Sequence, residues 1–408
     1  MRILYIHQYY KTPEEGGAIR SYYIASALVK AGHDVVMITS HNREKYEQRI
    51  IDGVEVHYVP VYYSNELNSF NRSRAFLGFL RQARKILIRL APYDIAYVTS
   101  TPLTVGLLAL YARQRFKIPF IFEVRDLWPE APIQLGYINH PPVKRALQQL
   151  EQRIYAKAAG IIALSPGIAR GVKESLKKLK NKTANREQDL HIIPNMADCQ
   201  LFKPAPKNYA FAKVFELHDT FVISYFGAAG PSNHLEYLLE AAKDCLDHQL
   251  PVKFLVAATG SELNRIQDLS TEMGLNNIVF VAYGSKQQVK NWLAISDAVY
   301  TSFGPYPVLE TNSPNKFFDG LAAGKLSIVN TAGWLKELVE EHRCGFYTKP
   351  DESDDFAQQL RPFLDNSYLL KEYQHNARRL AEEQFSKDLL TKAVIRLVER
   401  YGHSHSGS

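Results

Sequence analysis

Short apolar runs recur along the chain, and most are followed by a polar turn and then by apolar residues at three- and four-residue spacing. The first run, "RILYIH" (2–7), reads as a buried strand, followed by a loop with Gly16-Gly17, a helical stretch "AIRSYYIASALVKA" (18–31), a stop at Gly32 and a second strand "DVVMITS" (34–40). Further strands read at 53–61, 95–100, 119–124 and 160–165, with helical segments between most of them. Such alternation predicts a parallel sheet covered on both faces.

The pattern restarts after "HIIPN" (191–195) and the polar stretch "KPAPKN" (203–208). Strands then read at 221–227, 252–260, 277–284, 298–304 and 325–331, each leading into a helix or turn. The expected fold class is α/β, with two Rossmann-like, doubly wound parallel-sheet domains facing across a cleft. A first domain is expected over 1–200, a second over 201–366, with a linker near 196–208. Amphipathic helices over 367–401 can pack across both, and 402–408 reads as a disordered tail. Sheets of this type bind ligands at the carboxyl ends of their strands.

A chain of 408 residues is long enough for two domains of roughly 200 residues, each with its own core. Apolar residues make up 46% and charged ones 22%, which excludes disordered and fibrous classes. Cys199, Cys245 and Cys344 lie far apart without metal-ligand spacing, so they read as free thiols in a reducing compartment. No run is long enough for a membrane span, and the amino-terminal run is too short for a signal peptide, so a cytoplasmic protein is expected. Residues 1–200 carry 28 Lys+Arg against 17 Asp+Glu, a net +11, whereas the remainder carries 21 against 25, a net −4. That asymmetry suits an anionic partner: nucleic acid, a membrane surface or a phosphorylated substrate. Mere solubility is the plainer explanation.

Candidate chemistry collects at the strand ends. Gly16 and Gly17 lack GxGxxG spacing, which argues against a dinucleotide fingerprint; they serve either close approach to a phosphate or sugar, or a plain turn. "FEVRDLWPE" (122–130) sets Glu123, Arg125 and Asp126 at a strand end beside Trp128, as a ligand site or as a salt-bridged corner. Gly227 to Asn233 follow the first strand of the second domain. The stretch "YPVLETNSPNKFFDGLAAGK" (306–325) is the strongest signal. Ser313-Pro314 predicts a capped helix over 314–323, closed by Gly324, with its positive end toward Glu310. An anion suits that end, Lys316 can neutralise phosphate, and a carboxylate there is better placed to accept hydrogen bonds from sugar hydroxyls. A capped surface helix is the alternative. Residues 70–90 place Phe76, Leu80, Leu87 and Leu90 on one helical face with Arg74, Arg81 and Lys85 on another, which fits an anionic membrane surface or a core helix. The run 173–186 reads as a solvated loop with helix ends.

"HQYYKTPEEGGAIRSYYIASALVKAGHDVVMIT", "FEVRDLWPE", "IPNMAD", "FGAAGPSNHLEYLLEAA" and "SPNKFFDGLAAGK" together resemble the retaining family 4 glycosyltransferases of GT-B architecture. The similarity is greatest to the bacterial branch that includes N-acetylfucosaminyl transferases of surface polysaccharide assembly. It implies transfer of a sugar, an N-acetylated or deoxy amino sugar, from a UDP-sugar or other nucleoside-diphosphate donor, with anomeric configuration kept. The acceptor it implies is a lipid-linked saccharide hydroxyl. On this resemblance Asp319 grips the ribose, Glu310 lies near the donor sugar, and Thr311, Asn312, Ser313, Pro314, Asn315 and Lys316 meet the sugar and diphosphate. Tyr283 and Gly284 lie against the base, while Gly16 and Gly17 approach the phosphates from the first domain. Gly227 and Asn233 join the donor site, Glu123 and Trp128 the acceptor side, and Arg125 and Asp126 the reacting centre.

Two departures stand out. The family's acids have seven intervening residues, whereas Glu310 and Asp319 have eight, and strict spacing selects Thr311. Pro231-Ser232-Asn233-His234 occupies the segment where a basic pair commonly neutralises the diphosphate, and Arg125-Asp126 stands where many relatives have His-Asp. Catalysis is expected without a metal or other cofactor, a leaving-group oxygen assisting deprotonation of the acceptor. Competing expectations are an inverting transferase or sugar-nucleotide epimerase on the same architecture, and a basic nucleic-acid-binding protein, against which stands the lack of a reading motif. Peripheral contact with the inner face of the membrane through 70–90 is also expected.

Overall fold

The computed structural model describes residues 1–64, 67, 69–179, 189–349 and 355–403. Among these, the first half forms β1 (Arg2–Ile6), α1 (Arg20–Lys30), β2 (Asp34–His41), β3 (Glu47–Ile51), β4 (Val54–Pro60), α2 (Ser69–Arg89), β5 (Ile95–Thr99), α3 (Gly106–Phe116), β6 (Phe120–Val124), α4 (Glu130–Gln134), α5 (Pro141–Lys157), β7 (Gly160–Ala163), α6 (Pro166–Lys177) and β8 (Leu190–Ile192). The second half forms α7 (Tyr209–Val214), β9 (Phe221–Ala228), α8 (Glu236–Asp247), β10 (Val252–Thr259), α9 (Leu263–Glu272), β11 (Ile278–Ala282), α10 (Lys286–Leu293), β12 (Ala298–Thr301), α11 (Asn315–Ala322), β13 (Leu326–Val329), α12 (Trp334–Glu341), β14 (Gly345–Tyr347), α13 (Phe356–Asp365), α14 (Ser367–Glu383) and α15 (Lys387–His403).

Among the described residues two sheets form, in the orders β3-β4-β2-β1-β5-β6-β7-β8 and β11-β10-β9-β12-β13-β14. Every pairing is parallel except β3 with β4. Helices cover both faces, so central strands such as β5 and β6 are buried at every position. β3 was not foreseen, because its Gln48, Arg49 and Ile50 face solvent and show no buried alternation. Its hairpin is set by Asp52-Gly53, whose φ values of 47° and 81° suit a two-residue turn between twisted strands.

α2 resolves the ambiguity of residues 70–90 toward packing on the first sheet: Ala75, Phe79, Ala83 and Leu87 are buried while Arg74, Arg81 and Lys85 are exposed. The expected apolar face is thus rotated, with Phe76 and Leu80 only half-buried and Leu77 exposed. The run 173–186 begins as the end of α6, and 180–188 lies outside the described residues. The closing helices divide between the sheets. Ala377, Leu380 and Ala381 of α14 join the second core, while Leu390, Val394, Val398 and Tyr401 of α15 join the first. Of the expected tail, Gly402 and His403 instead complete α15, with Gly402 buried against Met1, and 404–408 lies outside the described residues.

Arg20 of α1 ties the point where the chain leaves the first sheet. Fully buried, it pairs with Glu123 on β6 at 2.9 Å and donates to the carbonyls of Pro194 and, at 3.0 Å, Ile193. Tyr97 donates to the same Glu123 carboxylate at 2.6 Å. Glu123 is therefore a core ion pair, and the acceptor-side expectation for it is corrected: the strand pleat turns it inward, away from the cleft. Glu123→Ala leaves a buried guanidinium unpaired and is expected to cost about 3–5 kcal/mol in denaturant unfolding. The paired replacement Arg20→Met with Glu123→Leu is expected to recover most of that loss.

Candidate active site

The two sheets present their carboxyl ends to one another, and loops from both meet there. Gly16 and Gly17, with φ of 69° and 79°, stand against the Tyr283–Gly284 loop of the other sheet. A Cβ on Gly16 would lie 2.3 Å from the Gly284 carbonyl oxygen, and the Gly17 N–H donates to the Tyr283 hydroxyl at 3.1 Å. The Gly16 loop thus provides the close approach that glycine alone permits, toward protein backbone across the cleft.

A second seam lies at the turn before α11. Ser165 caps α6 by accepting from the Ile168 N–H at 3.0 Å and donates its own proton to the Thr311 carbonyl. Asn195 donates through its side chain to the Ser313 carbonyl, and through its backbone to Ser313 Oγ at 3.1 Å. Ser313 is therefore not the expected helix cap, since its hydroxyl is spent on Asn195. Pro314 sits at the N-cap position, and neither Pro314 nor Asn315 is fully buried at the helix start. The expected Ser-Pro cap is realised at Ser165-Pro166 instead. Gly324, with φ of 62°, ends α11 as expected.

Lys316 is buried on the first turn of α11. Its ammonium lies 3.9 Å from the centroid of the Tyr225 ring and beside Gly227, where a Cβ would come within 3.5 Å of it. Among the described residues no carboxylate pairs with it. Burial lowers its pKa to about 7. Asp319, one turn further, accepts from Lys286 at the start of α10. Burial raises the Asp319 pKa, and Lys286 opposes the rise. Lys286 escaped the sequence reading, although the Ser285–Gln288 capping box marked it as the first residue of a helix.

Glu310 does not reach this site. Pro307–Thr311 is a 3₁₀ turn, in which residues three apart share a face. Leu309 and Asn312 line the cleft cavity, whereas Glu310 is exposed with its backbone against Gly333. The expectation that Glu310 lies near the donor sugar is corrected on that geometry. Thr311, the strict-spacing alternative, donates its hydroxyl to the Val308 carbonyl at 2.7 Å.

From the first sheet, Arg125 approaches His7 at 3.4 Å. Burial, reinforced by Arg125, lowers the His7 pKa well below its ordinary value, leaving a neutral ring that accepts from the guanidinium. His7 was not singled out from sequence. Burial raises the Asp126 carboxyl pKa, with Arg125 opposing. Asp126 and Trp128 line a cavity of about 670 Å³ that Ser232 and Asn312 close from the second sheet. Asn233 is buried in the turn beside it, its N–H donating to Gly230 at 2.9 Å.

Two family models match the chain: Glycosyl transferase 4-like domain over residues 15–178 and Glycosyl transferases group 1 over residues 207–380. The chain carries both domains and is a glycosyltransferase of the two-domain GT-B fold. It is 19% identical over 393 residues to the uncharacterized glycosyltransferase MJ1607 of Methanocaldococcus jannaschii, covering 94% of each chain. Among solved structures it is similar to sucrose-phosphate synthase from Thermosynechococcus elongatus, with a TM-score of 0.76, 16% identity and 99% of each chain covered. It is also similar to Anabaena HepE in complex with UDP, with a TM-score of 0.67 and 18% identity, covering 98% of this chain and 100% of that one. WaaG, a glycosyltransferase involved in lipopolysaccharide biosynthesis, gives a TM-score of 0.67 at 15% identity, covering 97% of this chain and 99% of the other.

The Gly16 seam makes a differential prediction. Gly16→Ala drives a methyl into the Gly284 carbonyl and is expected to lower the transfer rate at least tenfold by holding the cleft open. Gly17→Ala, whose methyl meets only the Lys11 side chain at 3.6 Å, is expected to cost only the roughly 1 kcal/mol of a left-handed alanine. Steady-state kinetics beside thermal melts separate the two.

Proposed function

We propose that the protein is a retaining transferase that moves a sugar from a UDP donor to a hydroxyl of a lipid-linked saccharide, without a metal. An N-acetylated or deoxy amino sugar is the group transferred, and surface polysaccharide assembly at the inner face of the membrane is the setting. The observation that carries the reading is the buried Lys316 ammonium, held beside Gly227 on the first turn of α11 with no carboxylate paired to it among the described residues. A cation so placed is matched by an anionic group brought in by substrate. The solved complexes of HepE with UDP and with UDP-glucose support a UDP donor, and WaaG supports the polysaccharide setting.

Breaking the sugar–phosphate bond puts positive charge on the anomeric carbon and negative charge on the departing diphosphate. Lys316 and the free N–H groups at the start of α11 stabilise that diphosphate as its charge grows. Asp319, held by Lys286, accepts from the ribose hydroxyls. Tyr283 and Gly284 border the base. A phosphate oxygen of the leaving group takes the acceptor proton, and Arg125, oriented by neutral His7, favours the anionic side of the reaction. Asp126 and Trp128 position the acceptor.

The test is transfer from UDP-sugars to a lipid-linked saccharide, with the product anomer read by NMR. Retained configuration, activity indifferent to EDTA, and a loss of about a hundredfold or more in kcat for Lys316→Met are expected. An inverted anomer or a magnesium requirement would overturn the mechanism, and a new sugar nucleotide formed without acceptor would make the protein an epimerase. Because Lys316 is a buried cation with no carboxylate partner among the described residues, Lys316→Met is also expected to raise the melting temperature near neutral pH. Asp319→Asn is expected to weaken UDP binding by about tenfold or more through the lost charge-assisted ribose contact.

A further inference from the structure

The cleft cavity changes character along its length. At the sheet ends it is bounded by Asp126, Thr101, Ser232 and Asn312, next to the expected reacting centre. Away from the sheets it runs between α2 and α5, where Leu77, Leu135, Ile138, Val143 and Leu147 line it. Leu77 and Val143 remain 63% and 45% exposed, and Phe70 on the same helix is 70% exposed. An apolar channel open to solvent at one end and to catalytic polar groups at the other does not suit a free sugar, whose hydroxyls would lose their water there.

Basic residues adjoin the lining. Arg74 follows the lining residues Arg72 and Ser73 on α2, and Lys144 and Arg145 follow the lining residue Val143 on α5, whereas Arg84 and Arg89, further along α2, lie over the Tyr111 and Tyr46 rings. Arg72 itself lines the cavity with its guanidinium 5.3 Å from the centroid of the Tyr137 ring. A cation in the lining of an apolar channel complements a chain that carries an anionic phosphate.

We propose that this channel between α2 and α5 receives the hydrocarbon chain of the acceptor, an alkyl or polyprenyl phosphate amphiphile, whose saccharide end reaches Asp126. The acceptor's own apolar part is therefore a specificity element and not merely an anchor in the membrane. This deepens the proposed transfer activity and rests on it for the identity of the acceptor. The cavity of about 670 Å³ falls within the usual range of small-molecule sites, so it takes only the segment of the chain next to the phosphate.

The probe is a series of n-alkyl phosphates from hexyl to decyl, titrated calorimetrically into the full chain below their micelle concentrations. Each methylene moved from water into the channel is expected to tighten binding about fourfold. Leu77→Asp and Val143→Asp, both at positions exposed enough to accept a carboxylate, are expected to flatten that dependence and to weaken decyl phosphate at least tenfold. Affinity independent of chain length in the wild type would overturn the proposal. So would the same chain-length slope in both variants, which would place the chain elsewhere on the surface. A parallel UDP titration keeps the two readings apart: UDP binding with a flat alkyl series sinks the channel alone, and a steep alkyl series without UDP binding sinks the donor reading.

Discussion

An ammonium buried with no carboxylate paired to it among the described residues is the constraint on which the candidate site depends. Taking a lysine out of water is costly, and here the partial compensations are the face of the Tyr225 ring and the absence of a side chain at Gly227. Burial alone lowers the Lys316 pKa to about 7, so the group is poised to gain a proton when an anion arrives. Its place on the first turn of α11 adds the partial positive charge of the helix start. The segment Pro231 to His234 supplies neither lysine nor arginine. We propose that Lys316, beneath the close backbone approach at Gly227, meets the diphosphate charge there.

The same site is held by the way the chain passes between the domains. Arg20 fastens Ile193 and Pro194 to the first sheet, and three residues on Ala197 bridges to Ser386, where the chain returns. Asp198 pairs with Lys387 at 2.8 Å at the same crossing. With the two passes anchored side by side, the loops at the strand ends meet in register. Gly16 against Gly284 and Asn195 against Ser313 then set the width of the cleft. Interactions far from the reacting atoms thereby decide whether catalytic groups from different domains come together.

Much of this was legible before any coordinates. The alternation of apolar runs with helical spacing carries the two parallel sheets, because strands buried on both faces read as continuous apolar segments. β3, β8 and β14 were missed for the opposite reason: β3 is an exposed edge strand, and β8 and β14 are only three residues long. At the site, the short helix within 306–325 and its stop at Gly324 were legible. The fate of Glu310 was not, since a 3₁₀ turn and an α-helix send a given residue to different faces and the sequence does not distinguish them. Glu123 failed similarly, because its role depends on Arg20, 103 positions away. Lys286, His7 and Asn195 act through partners remote in sequence, so the local motifs that contain them do not announce those contacts.

Proton-linked binding of UDP tests the role of Lys316 most directly. Calorimetric titrations near pH 8 in buffers of different ionisation enthalpy measure protons taken up on binding, and the Lys316→Met variant identifies their source. Uptake approaching one proton per UDP in the wild type, absent in the variant, is the expected result. UDP binding with no proton uptake, or with the same uptake in both proteins, would contradict the claim that a buried, neutral-poised lysine is charged to hold the diphosphate.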